Sequence, residues 1–152
     1  ENELEQFEGL YREAFRKRML GVLGLKPSDE EQDLALLKSL FAWMNETRAS
    51  WPQVFFDWFG GPASEGRAAG SPLSKLYAAS AFEAVRGALL GHQPERPERL
   101  SHTYFKAAEP PNLVIEAVED LWAHIAERDD WEPFRRHMAR IEQAREALNI
   151  IG

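Results

Sequence analysis

Residues 28–44 read SDEEQDLALLKSLFAWM, and this stretch decides the fold class. Leu34, Leu37, Leu40, Phe41 and Met44 recur at steps of three and four, the period of one buried helix stripe. Leu36 and Trp43 widen the stripe, as expected of a helix that touches two neighbours. Ser28 with Glu31 has the spacing of a capping box, in which the hydroxyl takes an unpaired backbone N–H and the carboxylate reaches back. Asp29 and Glu30 add negative charge at the positive end of the helix dipole.

Toward the N-terminus, Leu4, Phe7, Tyr11, Phe15, the Arg18 stem and Val22 form a second stripe of the same period. Gly24 is placed to end that helix and Pro27 prevents its continuation. Gly9 and Gly21 inside it cost about 1 kcal/mol each against Ala, so this helix depends on packing. Arg16, Lys17 and Arg18 form a basic cluster that Glu5, Glu8 and Glu13 balance on a solvated face. Glu1 stands where a start Met would, and residues 1–10 already read as helix, which points to a piece of a longer protein.

Toward the C-terminus, Ser50 with Gln53 repeats the capping spacing, and Pro52 suits a first helical turn. Residues 51–59, WPQVFFDWF, are apolar nearly all round and must be surrounded. Gly60 and Gly61 end this element, and the Gly, Ala, Ser and Pro of residues 60–71 predict a mobile loop. Ser71 and Pro72 open another helical stretch, and Ser80 with Glu83 makes a third capping box ahead of Phe82, Val85, Leu89 and Leu90. Pro97 begins a helix carrying Leu100, Tyr104 and Phe105, which Pro110 and Pro111 stop. Leu113, Ile115, Val118, Leu121, Trp122 and Ile125 again have helical spacing. Asp129 or Asp130 caps a last helix that turns Trp131, Phe134, Met138, Ile141 and Leu148 inward. No alternating run of β-branched residues suggests a strand. The expectation is one all-α domain over residues 1–152, a single irregular bundle of six to eight helices.

Composition narrows the functional classes. The chain has 152 residues with 25 acidic and 18 basic side chains, a formal charge of −7, which disfavours a nucleic-acid partner. At 44% hydrophobic, with 9 Phe, 5 Trp and 3 Tyr, it is too apolar for a disordered chain. With no Cys, disulfides, thiolate metal sites and cysteine nucleophiles are excluded. No apolar run approaches the ~20 residues needed to span a bilayer, and no export signal opens the chain, so neither a membrane partner nor export is expected.

The side chains offer little catalytic chemistry. None of His92, His102, His124 and His137 has an acidic residue three positions before it, as a di-iron bundle site requires. No two lie four apart, as a zincin requires. His124 and Glu127 read as a helix-face pair. Ser101 and His102 are adjacent, so on a helix they point about 100° apart and cannot act together. The glycines at 60, 61, 66 and 70 follow a helix instead of a strand, and Lys75 is misplaced for a phosphate loop. Carboxylates such as Asp33, Glu127 and Asp130 sit at helix ends, where capping accounts for them. What stands out is Trp51, Phe55, Phe56, Trp58 and Phe59 within nine residues. This cluster reads as core, as a dock for another part of the protein, or as the wall of a small-molecule pocket.

Two segments resemble the C-terminal region of the SelO (YdiU) family, large pseudokinase-like proteins that transfer AMP from ATP to protein hydroxyls. In residues 11–59, Met19, Gly24 and Leu25 match the family's "M-R-x-K-L-G-L" helix end. Asp33, Leu36, Leu37 and Met44 follow, with Trp51 and Phe55 in the "D-[YFW]-T-x-x-F-R" stretch. In residues 111–134, Pro111, Leu113, Ile115, Ala123, Ala126 and Asp130 fit "N-P-x-x-[VIL]-x-R-N-x-x-A-x-x-A-I" and its "G-D" turn. The chain departs at Pro52 and Phe56, where the family has Thr and Arg, and at Glu116 and Ala117, where it has Arg and Asn. The family's C-terminal cysteine or selenocysteine has no counterpart. The family's nucleotide and metal residues lie upstream of this region, so the resemblance carries no catalytic, cofactor-binding or metal residue onto this chain. It implies a non-catalytic accessory region, with ATP and Mg²⁺ belonging to a full-length parent. The implied partner is a kinase-like lobe of the same polypeptide or another protein. The alternative is a free-standing interaction module that has lost the catalytic lobe. Ala and Arg usage points to a bacterial source, and the missing export signal to the cytoplasm.

Overall fold

A computed structural model describes residues 2–112 and 114–148, with side chains from residue 7 onward. The Leu4 and Glu5 side chains and all of Leu113 therefore lie outside the described residues. Among the described residues there are eight α-helices and four 3₁₀ turns, and no strand. The all-α class expected from the spacing holds. The helices are α1 (Asn2–Val22), α2 (Glu30–Thr47), α3 (Trp51–Asp57), α4 (Glu65–Ala69), α5 (Ser74–Tyr77), α6 (Glu83–Leu89), α7 (Ile115–Arg128) and α8 (Glu132–Ala147). Proximity along the backbone groups them into two compact units, residues 1–101 and residues 102–152.

In unit 1 the helix starts differ from their expected caps because buried groups compete for the same atoms. Asp29, not Ser28, caps α2, accepting from the Glu31 and Gln32 N–H groups at 2.9 and 3.4 Å. The backbone N–H of Ser28 instead donates to Asp33 at 3.1 Å. Ser50 holds the cap position of α3 without a side-chain bond, because the Gln53 amide turns inward to Asp57 at 2.9 Å. Residues 80–82 form a 3₁₀ turn, so α6 starts at Glu83 behind Phe82 and the Ser80–Glu83 box does not form.

Residues 60–71 are not the loop that their composition predicts. Gly61–Ser64 is a 3₁₀ turn and α4 follows directly. Its polar groups finish the carbonyls that α3 leaves open. The Ser64 hydroxyl donates to the Phe59 carbonyl. The Arg67 guanidinium donates to the same carbonyl at 2.6 Å and to the Asp57 carbonyl at 3.3 Å. Small side chains let this segment lie close to α3, with Ser64 and Ala68 buried.

The core of unit 1 is an aromatic box. Trp43 on α2 meets Phe82 edge-on at 4.8 Å, and Trp58 meets Tyr77 at 5.5 Å and Phe82 at 5.2 Å. Leu20, Leu23, Leu36, Leu40, Met44, Val54, Val85 and Leu89 surround it. The stripe read for α2 is therefore correct, with Leu36 and Trp43 deeper than Leu34 and Phe41. The stripe read for α1 is not: Phe7, Tyr11 and Phe15 are exposed, and only the last turn from Leu20 enters the core. Gly24 ends α1 at φ +62°, and a Cβ there would sit 2.6 Å from the Phe59 ring. The chain leaving α1 is held by Lys26 N–H to the Gln93 carbonyl at 3.0 Å and Glu95 N–H to the Gly24 carbonyl at 2.9 Å.

The helix expected from Pro97 is two 3₁₀ turns, Pro97–Ser101 and Thr103–Lys106. The second belongs to unit 2, where His102 Nδ1 accepts from the Tyr104 N–H at 3.1 Å. Tyr104, Phe105, Ala144 and Ala147 are the buried apolar residues of that unit. Neither Asp129 nor Asp130 holds the cap position of α8, which is Trp131 and makes no side-chain cap bond; Asp130 accepts from the Glu132 N–H at 3.0 Å one residue ahead of it, and Asp129 adopts φ +52° at the end of α7. Trp131, Phe134 and Met138, expected inward, are exposed. Among the described residues no helix is long and apolar enough to cross a membrane.

Candidate functional site

The aromatic segment of residues 51–59 is split by its helix. Phe56, Trp58 and Phe59 are buried, Phe55 is half-buried, and Trp51 is 44% exposed. The exposed members join side chains from two other helices in one run of rings. Tyr11 stacks on Phe15 at 6.4 Å, Phe15 meets Phe41 at 6.3 Å, Phe41 stacks on Trp51 at 5.4 Å, and Trp51 meets Phe55 edge-on at 6.1 Å. Three helices thus lay a continuous aromatic strip along one edge of unit 1. Aromatic side chains exposed in such a strip are the composition of a protein interface.

Behind this segment lies a buried carboxylate. Asp57 is wholly buried and accepts from Gln53 at 2.9 Å, Ser71 at 2.5 Å and Tyr77 at 2.7 Å. Burial pushes its carboxyl above the usual carboxylate range, against these hydrogen bonds, which favour the charged form. The Tyr77 phenol is raised as well, first by burial and then by its bond to Asp57. Both Asp57 oxygens are taken, so the group organises α3, α5 and the turn between them and leaves no lone pair aimed at solvent.

A second buried cluster joins α1, α2 and the end of α6. Arg16, Asp33 and His92 are all buried. Arg16 Nη1 donates to Asp33 Oδ2, and His92 Nε2 lies 2.9 Å from Asp33 Oδ1. The Nδ1–H of His92 donates to the Ala88 carbonyl at 3.0 Å. Both ring nitrogens of His92 are thus engaged within the cluster, which fastens three elements together. Arg16 thus turns in from the basic face of its neighbours, and it keeps the Glu13 partner expected there, to which Nη2 donates at 2.6 Å. The sequence signal for this cluster was Asp33, a position of the resemblance, whose burial is not visible from its place in a helix's first turn.

The remaining candidates stay apart. The Ser101 hydroxyl donates to the Glu98 carbonyl at 2.8 Å, and His124 lies 3.7 Å from Asp130 instead of pairing with Glu127. Among the described residues no group of three or more His, Asp or Glu side chains is arranged to hold a metal ion. A cleft of about 360 Å³ is lined by Trp58, Glu65, Ala68, Lys75, Tyr77 and Arg86. Arg86 closes one wall: it pairs with Glu65, donates to the Tyr77 carbonyl at 3.1 Å and lies 5.7 Å over the Trp58 ring.

The family model for protein adenylyltransferase SelO matches residues 1–142. The chain belongs to the SelO family. No curated protein and no solved structure matches it. The SelO-like positions have clear structural roles: Gly24 makes the left-handed turn under Phe59, Leu25 is buried, and Asp33 holds the ionic cluster. The departures from the SelO pattern fall on both kinds of surface. Phe56 is buried, with the Arg67 guanidinium 5.4 Å over its ring. Pro52 and Glu116 are exposed in the first turns of α3 and α7, and Ala117 is half-buried.

Proposed function

We propose that this chain is a non-catalytic helical accessory region of a SelO-type protein, bracing a kinase-like lobe or contacting another protein. The observation that carries the reading is the strip formed by Tyr11, Phe15, Phe41, Trp51 and Phe55, which three helices build and of which Tyr11, Phe15 and Trp51 are exposed. AMP transfer needs metal-bridged phosphates and a cationic clamp, and in this reading ATP and Mg²⁺ belong to the kinase-like lobe. The Arg16 and Arg86 guanidiniums are engaged with carboxylates. The cytoplasm of a bacterium is the proposed setting.

Two measurements test this. Calorimetry of the chain with ATP and Mg²⁺ should give no saturable heat; a saturable isotherm refutes the non-catalytic assignment. The SelO kinase-like segment, produced as a separate chain, should bind this one, and Trp51→Glu should weaken that binding about tenfold or more with helix content unchanged. Unaltered binding by the Trp51→Glu protein refutes the strip as the contact.

A free-standing interaction module is favoured by Pro52, Phe56, Glu116 and Ala117, where hydroxyl, charged and amide groups of the SelO pattern are replaced. The reading frame upstream of Glu1 separates the two: a kinase-like pattern supports the accessory region, and a nearby start codon supports the module.

A further inference from the structure

The two units differ in how much of their helical surface they bury. In unit 1 the 18 residues of α2 bury six side chains, and even the 7 residues of α3 bury four. In unit 2 no described residue of the 14-residue α7 is buried, and the 16 residues of α8 bury only Ala144 and Ala147. Ile115, Val118 and Trp122 on α7, with Phe134 and Met138 on α8, are exposed, from 38% for Phe134 to 73% for Ile115. Among the described residues of this unit, the large apolar side chains that are buried are Tyr104 and Phe105, outside both helices.

Local interactions do not make up the difference. Helices of this length are marginal in water by themselves and take most of their stability from packing an apolar face. Val114 holds the cap position of α7 in extended backbone, and Trp131 holds that of α8, neither with a side-chain bond to the free N–H groups. Among the described residues the side chains of α7 make one polar contact, His124 with Asp130 at 3.7 Å, just past the helix end. On α8, Glu132 pairs with Arg135 and Arg136, and Glu142 with Arg145. Exposed pairs of that spacing add only tenths of a step toward order. Arg140 donates to the Glu109 carbonyl at 2.9 Å, again in an exposed contact.

We infer that α7 and α8 are a conditionally ordered segment, which passes between helix and open chain while unit 1 stays folded. Opening these helices uncovers few side chains that are not already uncovered, so little lost burial opposes the gain in backbone entropy. Unit 1 does not share the opening, because its aromatic box and its Arg16–Asp33–His92 cluster lie wholly within residues 1–101. Order and disorder of one segment beside a persistent core is one of the ways in which proteins switch.

Hydrogen exchange of the 152-residue chain, read by mass spectrometry, tests this. Amides of α7 and α8 should exchange about tenfold or more faster than those of α3, although α3 is half as long as α7. Val54→Ala, at a fully buried position of unit 1, should speed exchange in α2 and α3 about tenfold and leave α7 and α8 within about twofold. Val114→Asp, which supplies the missing cap, should slow exchange in α7 about threefold and leave α2 and α3 unchanged. Exchange in α7 and α8 less than about tenfold faster than in α3 overturns the inference. A Val54→Ala effect that reaches α7 and α8 in full overturns it as well, since the chain would then open as one cooperative body.

Discussion

Replacing Asp33 by Asn tests whether one carboxylate fastens α1, α2 and the end of α6. The amide has the same size, so packing is preserved and only charge and hydrogen-bond polarity change. Asp33 is fully buried and faces three partners: the Arg16 guanidinium, His92 Nε2 and the Ser28 N–H. An amide offers one acceptor oxygen and turns an NH₂ toward one of those partners, leaving the guanidinium with Glu13, at 2.6 Å, as its one remaining carboxylate. With Glu13 still on Arg16, the loss is that of one buried charge-assisted hydrogen bond, about 1.5–3 kcal/mol, which lowers the melting temperature by on the order of 10 °C for a unit of this size. Urea unfolding followed by tryptophan fluorescence measures the change. Arg16→Met alone should cost less, because Asp33 keeps His92 and Ser28. In the double variant Arg16→Met/Asp33→Asn no guanidinium faces the new amide, so the total should fall short of the sum by about 1–3 kcal/mol. A cost below about 1 kcal/mol for Asp33→Asn, or strictly additive costs, would refute the reasoning.

Gly24→Ala should cost about 2–4 kcal/mol in thermal unfolding, since φ is +62° and the new methyl would meet Phe59 at 2.6 Å. Gly9→Ala, with nothing within 4 Å of the added carbon, should stabilise by about 0.5–1 kcal/mol; a loss at Gly9 would show that α1 packs there. Asp57 should contribute stability that falls as pH rises. Burial lifts its folded carboxyl above the unfolded value, so between the two the native state binds more protons. Asp57→Asn should remove that slope from urea unfolding measured at about pH 4–7, and an unchanged difference between the two proteins across that range would contradict it. Trp58→Ala should cost about 3–5 kcal/mol, whereas Trp51→Ala, with Trp51 44% exposed, should cost about 1 kcal/mol or less. Equal losses in chemical denaturation would mean that the two tryptophans are equally buried.

The fold class and the central helix were legible because burial repeats at 3.6 residues, and Leu36, Leu37, Leu40 and Met44 follow that repeat without competing demands. Burial read from the same repeat failed on α1 and α8, while on α7 the repeat gave the helix and nothing of its burial. An apolar stripe records that a helix has a partner, without saying whether the partner belongs to the same unit. Phe7, Tyr11, Trp122 and Trp131 are therefore periodic and exposed. The caps failed for a different reason. The Ser28 N–H and the Gln53 amide each bond a carboxylate five or four residues on, Asp33 and Asp57, whose burial the local sequence does not show. Residues 60–71 were misread because Gly, Ala and Ser signal a loop by propensity, yet serve close packing once Ser64 and Arg67 take up the Phe59 carbonyl. Of the aromatic cluster, the sequence supplied the residues. Only the helix's orientation separated Phe56, Trp58 and Phe59 from Trp51.

The helices α3 to α6 are 7, 5, 4 and 7 residues long. Each is shorter than the roughly 12–15 residues at which an isolated helix begins to hold in water. Their order is borrowed from the box of Trp43, Trp58, Tyr77 and Phe82. The stretch from 51 to 89 therefore has no smaller piece that would survive excision. A protease should gain entry there only when the whole box opens, so resistance to cleavage in this region is a property of the unit and of none of its helices.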